Sequence, residues 1–374
     1  MGLLIDGRVS PGTISRMNQQ VIVAGGGIGG LACALALARA GVSSVVLEQA
    51  AAFGEVGAGL QLGPNAVRVL AEWGLMDAVQ ACAAFPEALR VRDAHGANQL
   101  GHLRLGAMAL ARHGQHYATL HRADLHGLLL SAVQRRPEVQ LRLGVRLASY
   151  VDNGECVQVT LENGETLSGG ALIGCDGLWS RVRAGLLGEQ PVSATSHLAY
   201  RGMVRAVDLP AALRANVITA WLGPRLHVVH YPVKQGDWFN LVAVVHGRLP
   251  SGDDVQAWTH QAHAADLRQS LGSACAELMA MALIFPERIS GSDVARPTTG
   301  VADEVRVPLA SILIRANKTP ARMVCRRWAR ATIATTGSEG ARLETAASTV
   351  VASIAPIARR WAVTSSSIHP KNVR

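Results

Sequence analysis

Gly25, Gly27 and Gly30 stand in the order GxGxxG, and the acidic Glu48 follows about 20 residues later. Those residue types at that spacing suit a dinucleotide. The first glycine permits a tight turn, the second lets backbone approach a pyrophosphate, and the third lets a helix pack on the strand before it. The free N–H groups and positive dipole end of that helix face the phosphates, so Ile28 and Gly29 belong with the three glycines in the expected contact set. Glu48 is expected to accept both hydroxyls of a ribose. An acid at this place favours an unphosphorylated adenosine ribose, as in FAD or NAD, over that of NADP.

The flanking text supplies the elements that must position these groups. Val21 to Ala24 reads as a short buried strand, Leu31 to Ala40 as an alanine- and leucine-rich helix stopped by Gly41, and Ser44 to Leu47 as a second strand. Together they predict a βαβ unit, the opening of a Rossmann-like α/β domain. Further on, Val139 to Asp152 alternates like one strand. Cys156 to Leu161 and Glu165 to Ser168 flank an Asn163-Gly164 turn as a hairpin, and Ala171 to Gly174 is another buried strand. Asn216 to Leu222, His227 to Val233 and Trp238 to Val245 are β-rich and predict a second, sheet-based domain inserted into the first.

Composition removes several function classes. Nearly half of the 374 residues are hydrophobic, enough for sizeable cores, and the six cysteines show no CxxC or metal-like spacing, which predicts reduced thiols, no metal and a cytoplasmic protein. No apolar run reaches the roughly 20 residues that span a bilayer, and Met1 to Arg16 lacks the pattern of a secretory signal. The net charge of +9 is concentrated at the end, where residues 287 to 374 carry 14 Lys and Arg against 6 Asp and Glu. That tail has no Lys/Arg block with interleaved aromatics, so neither a nucleic-acid nor a membrane partner is expected.

Three further segments carry a family resemblance. Phe53-Gly54-Glu55-Val56-Gly57-Ala58-Gly59-Leu60-Gln61-Leu62-Gly63-Pro64-Asn65, His121-Arg122-Ala123-Asp124-Leu125 and Cys175-Asp176-Gly177-Leu178-Trp179-Ser180-Arg181-Val182-Arg183 occur in that order. They resemble the segment beside the isoalloxazine ring, the HRxDL element and the DGxxSxxR fingerprint of the class A flavoprotein aromatic hydroxylases. The resemblance runs from about Gln20 to Met279 and is nearest to the group of 3-hydroxybenzoate 6-hydroxylase, salicylate hydroxylase and 6-hydroxynicotinate 3-monooxygenase. It implies an aromatic hydroxylase fold, with an FAD-binding domain over 17–190 that includes part of the substrate domain near 80–110. A substrate domain over 191–286 follows, an N-terminal extension of 1–16 precedes, and 287–374 is an atypical tail.

By the same resemblance the cofactor is FAD, the reductant NADH or NADPH, the co-substrate O2 and the substrate a small aromatic acid, with a homodimer allowed. Gly57, Ala58 and Gly59 would lie along the flavin, Arg122 would reach it, and Asp176 and Gly177 would serve the pyrophosphate. Gln49 and Leu147 complete the expected cofactor set. Gly223 to Pro232 resembles the group's His-x-x-x-Tyr strand, whose two polar residues meet the substrate phenol. On a strand His227 and Tyr231 share one face, and a histidine suits phenolate formation. His230 falls on the opposite face as an internal control, and Gln61 stands where part of the group has histidine.

Rival readings stay open at this level. An NAD-dependent dehydrogenase accounts for Gly25 to Glu48 but not for the later segments, and a non-catalytic nucleotide-binding or basic-tail interaction protein becomes the reading if flavin is absent. After Glu287 the family's DRxP and GDAAH elements are missing. Freely chosen codons for Val294 to Ala302 and Ala321 to Ala331 restore fragments of both when read in shifted frames, so a frameshifted and impaired copy of such an enzyme is a further expectation.

Overall fold

The computed structural model describes residues 20–54, 58–188, 197–246, 264–284, 296–298 and 312–315. In chain order the first half gives β1 (Val21–Ala24), α1 (Ile28–Arg39), β2 (Ser44–Leu47), β3 (Gly59–Leu62), α2 (Pro64–Glu72), α3 (Met76–Cys82), β4 (Ala88–Asp93), β5 (Gln99–Arg104), α4 (Gly106–His113), β6 (Ala118–His121), α5 (Arg122–Gln134) and β7 (Val139–Arg142). The second half gives β8 (Leu147–Asp152), β9 (Val157–Leu161), β10 (Thr166–Gly169), β11 (Ala171–Gly174), α6 (Arg181–Leu187), β12 (His197–Arg205), β13 (Val217–Gly223), β14 (Leu226–Val233), β15 (Trp238–His246), α7 (Ala264–Leu271), α8 (Ala276–Ile284), β16 (Arg296–Thr298) and β17 (Ile312–Arg315).

The described residues sort into two compact units, one from 20–53, 129–188 and 312–315, the other from the remainder. The first unit holds a five-stranded sheet in the order β17-β11-β1-β2-β7, parallel except for β17, and a three-stranded sheet β10-β9-β8. Every residue of β1 and β2 is buried, as an uninterrupted apolar run requires when both faces of a parallel sheet are covered. In α1 all residues from Gly30 to Ala38 are buried, so alanine and leucine here serve close packing as well as helix propensity. A core of Ile22, Ala24, Val45, Leu47, Leu147, Val157, Val159, Leu161, Leu172 and Val182 binds the two sheets.

One expectation is corrected here. Val139 to Asp152 is not a single strand: β7 and β8 belong to different sheets. Gly144 sits at φ +67, its N–H bonds to the Ala50 carbonyl, and that of Val145 bonds to Glu48. The alternation continues through the break because the turn takes only a few residues, so periodicity alone does not reveal it.

The second unit is built on a seven-stranded sheet in the order β16-β12-β15-β14-β13-β4-β5. Its neighbours are antiparallel except for the parallel pair β4 and β13. One row of side chains, with Trp221, Val228, Leu241 and Ala243, packs with Leu267, Leu271, Leu278 and Met281 of α7 and α8. Each fully buried side chain of this size contributes roughly 2 kcal/mol. The other row carries Ile218, Tyr231 and Val233 into a smaller cluster with Leu105. This unit takes in all of 54–128, a longer stretch of the first half of the chain than 80–110. The pairing of β3 with β6 and the bond from Thr119 Oγ1 to the Pro232 carbonyl hold that stretch to β14.

Candidate functional site

The glycine-rich turn of the first unit is shaped by three different constraints. Gly25 has φ +100, and a Cβ there would collide with the Cys175 carbonyl. A Cβ at Gly30 would collide with the carbonyl of Gly25. At Gly27 nothing lies within 4 Å of a Cβ position. The outer glycines are therefore demanded by packing, whereas the middle one leaves space in front of the turn. Gly27 is the N-cap of α1, makes no side-chain capping bond and has no acid in the following turn. The first N–H groups of the helix, those of Ile28, Gly29 and Gly30, are thus the donor end that an anionic phosphate satisfies.

Glu48 ends β2 beside this turn. Its Oε2 accepts from the Gly26 N–H at 2.7 Å and its Oε1 from the Ala50 N–H at 2.8 Å. These bonds fix the carboxylate against the loop and leave each oxygen with a lone pair for a ribose hydroxyl. Gln49 is turned elsewhere, accepting from Arg146 Nε at 2.8 Å beside an open hollow of about 710 Å³ that runs past Gly144 and Glu162. The Leu147 side chain lies in the core, so it presents no polar side-chain contact. Beneath the turn, Cys33 bonds to Cys175, and that bond together with burial pushes the Cys33 thiol well above its ordinary range.

The Asp176 to Arg183 segment spends its polar groups locally. Asp176 accepts from Ser180 Oγ at 2.5 Å and from the Val182 N–H at 3.1 Å. Ser180 caps α6 by accepting from the Arg183 N–H at 2.9 Å, and Arg183 closes the turn on the Leu178 carbonyl at 2.5 Å. Gly177 adopts φ +77 with open space at its Cβ position. The fingerprint therefore builds a rigid turn and helix start, and Asp176 acts first as the brace of that turn.

In the second unit, the Ala58 carbonyl accepts from the Arg122 N–H at 3.0 Å, which joins the two flavin-associated segments through backbone. Gly57 lies outside the described residues. Gly59 is pressed onto the sheet: a Cβ there would stand 2.7 Å from both Asn240 Cβ and Tyr231 Cε2. Its N–H donates to Asn240 Oδ1 at 2.6 Å. Asn240 is the register partner of Tyr231, wholly buried, and its Nδ2 has no partner among the described residues. No reading of the sequence singled it out, because only the fold brings β15 to Gly59; the one signal was an amide inside an otherwise apolar strand. Gln61 accepts from the Tyr117 hydroxyl at 2.9 Å.

His227 and Tyr231 do share one face of β14, with different surroundings. His227 is exposed, whereas Tyr231 is fully buried. His230 is on the opposite face but is not inert. It is 2 % exposed, accepts from Trp221 Nε1 at 3.3 Å, and has its pKa lowered to about 4 by burial and then by the nearby Arg92 charge. Strand alternation assigns a side but not a depth; here the ring lies against Trp221 and Phe239.

The sequence pattern of the FAD binding domain family matches residues 18–290. The 3-hydroxybenzoate 6-hydroxylase 1 of Aquipseudomonas alcaligenes is 38% identical over 226 residues, 60% of this chain and 57% of the relative. The 3-hydroxybenzoate 6-hydroxylase of Polaromonas naphthalenivorans is 39% identical over 230 residues, 62% of this chain and 57% of the relative. Each match therefore spans less than three fifths of the relative's length. A salicylate hydroxylase substrate complex superposes with a TM-score of 0.59 at 25% identity, covering 75% of this chain and 67% of that one. Among the described residues no helix is long and apolar enough to cross a membrane.

Proposed function

Because the chain belongs to the FAD binding domain family, we propose that it is a flavoprotein monooxygenase that hydroxylates a phenolic aromatic carboxylate with NAD(P)H and O2. The observation that carries the FAD assignment is the uncapped start of α1 behind packing-demanded Gly25 and Gly30, with open space at Gly27 and the Glu48 carboxylate fixed alongside. When bound, FAD supplies electron transfer from the nicotinamide and activation of oxygen for insertion into the ring.

The chain's own residues bind, orient and move a proton. Backbone N–H groups of Ile28, Gly29 and Gly30 take the pyrophosphate, Glu48 takes the adenosine ribose, and Gly57, Ala58, Gly59 and Arg122 serve the flavin. Gly177 keeps the backbone open on its side, with Asp176 bracing it. On β14 the His227 imidazole accepts the phenol proton and raises the electron density of the ring, while the Tyr231 hydroxyl orients it. The hydroxybenzoate relatives support a hydroxylated benzoate-like acid as substrate.

The test is the visible spectrum of the purified full chain, followed by hydroxylated product per NADH consumed with hydroxybenzoates. Bound flavin with stoichiometric product is expected. Absence of flavin sinks the reading. A second reading, a copy impaired after residue 290, is favoured by the family match ending there. It predicts flavin with little product and hydrogen peroxide instead, and a coding sequence that restores the missing elements in another frame.

A further inference from the structure

The face of the seven-stranded sheet opposite Tyr231 holds a cavity of about 300 Å³ that the proposed chemistry does not use. Its floor is one cross-strand row. Arg90, Thr219 and His230 are register partners across β4, β13 and β14, and the next row sets Arg92 beside Trp221. Trp221 donates to His230 Nδ1, so the proton of this neutral imidazole sits on Nε2. No described residue accepts that Nε2–H, although the ring is 2 % exposed and lines the cavity. The Thr219 hydroxyl, 5 % exposed, likewise has no partner among the described residues. Both groups line the cavity rather than being sealed in the core, so each can donate to whatever occupies it.

The charges point the same way. Arg92 is already held: it lies 4.3 Å from the Trp221 ring centroid, donates twice to the Ala97 carbonyl and reaches Glu277 at 3.4 Å. Arg90 lines the mouth, is exposed and forms no ion pair with a described residue. No carboxylate lines the cavity, so its polar groups are in excess as donors. Leu213, Val217 and Trp221 supply apolar wall, which suits a carbon skeleton better than an inorganic ion.

We propose that this cavity binds a small organic monocarboxylate, whose oxygens accept from His230 Nε2, the Thr219 hydroxyl and the Arg90 guanidinium while its aliphatic part rests on Trp221 and Leu213. An exposed arginine supplies the long-range attraction, and the buried imidazole and hydroxyl supply the directional bonds.

The probe is sodium butyrate, added to the full chain labelled in its histidine rings, with ionic strength held constant by sodium chloride. The His230 ring signals, identified by their absence from His230→Gln, are expected to move and saturate. Arg90→Gln, at an exposed position that leaves the core intact, is expected to weaken butyrate by about tenfold or more, and Thr219→Val by a smaller factor. The proposal is overturned if the His230 signals stay still, if only other histidine signals move, or if the Arg90→Gln affinity is unchanged. It is also overturned if inorganic phosphate displaces butyrate and binds more tightly, since the apolar wall would then have no role.

Discussion

The glycine-rich turn of the first unit and the β14 face of the second differ in what they offer a ligand. The turn offers backbone: N–H groups at a helix start, with side chains removed where they would collide. The strand offers side chains, and each one's character is set by what lies above and below it. Backbone recognition tolerates almost no change at the packing glycines and little at the open one. On the strand the fold tolerates a change at exposed His227 but not at buried His230, three residues away.

The largest expected effect sharpens that distinction inside the turn itself. Gly30→Ala sets a Cβ into the carbonyl of Gly25, and should cost more than about 4 kcal/mol and yield little soluble protein. Gly27→Ala meets nothing within 4 Å, so its melting temperature should stay near that of the parent while FAD retention falls. Equal melting of the two variants would break the division into packing and ligand-facing glycines.

On the strand, His227→Ala in flavin-loaded protein should lower hydroxylation about a hundredfold or more and leave flavin reduction by NADH nearly intact. Comparable losses in both half-reactions would remove His227 from proton transfer. His230→Ala should instead lower stability, since it leaves the Trp221 N–H unpaired and a hole beside Trp221 and Phe239.

Acid provides a test of depth without mutation. The His230 pKa of about 4 lies below the roughly 6.5 of an unfolded chain. Its contribution to stability is therefore full above pH ~6.5 and lost as pH falls toward 4, because only the unfolded chain takes up the proton in that window; the loss is about 3 kcal/mol. Denaturant unfolding of the parent and His230→Phe across that window should converge as the pH drops. Parallel curves would mean the imidazole is not held neutral.

The smallest effect falls on Glu48→Ala, which removes a charge-assisted acceptor and should weaken FAD about ten- to hundredfold. Unchanged affinity in that variant would take the ribose away from Glu48.

Much of the frame was legible because its determinants are local. The βαβ opening shows in an apolar run, a glycine spacing and an alanine-rich helix, and the β9–β10 hairpin shows in Asn163-Gly164, whose glycine adopts φ +85. What was not legible depends on residues far apart. Asn240 matters through Gly59, 181 positions away, and the depth of His230 comes from the neighbouring strands that set Trp221 and Phe239 against it. Asp176 was expected at the pyrophosphate through the family resemblance alone; its carboxylate also has a local task the sequence did not show, bonding Ser180 and the Val182 N–H at a helix start.

The order in the first sheet also bears on how the chain assembles. β1 lies between β2, which follows after a single helix, and β11, which is made only after all of 54–128 has been synthesised. One side of β1 must therefore wait, with its N–H and C=O groups unpaired, while a long intervening loop is closed at an entropic cost. During that interval the waiting edge, every residue of which is apolar, is open to pairing with another nascent chain. The insertion of 54–128 thus makes completion of the first sheet the late and aggregation-exposed step of biogenesis.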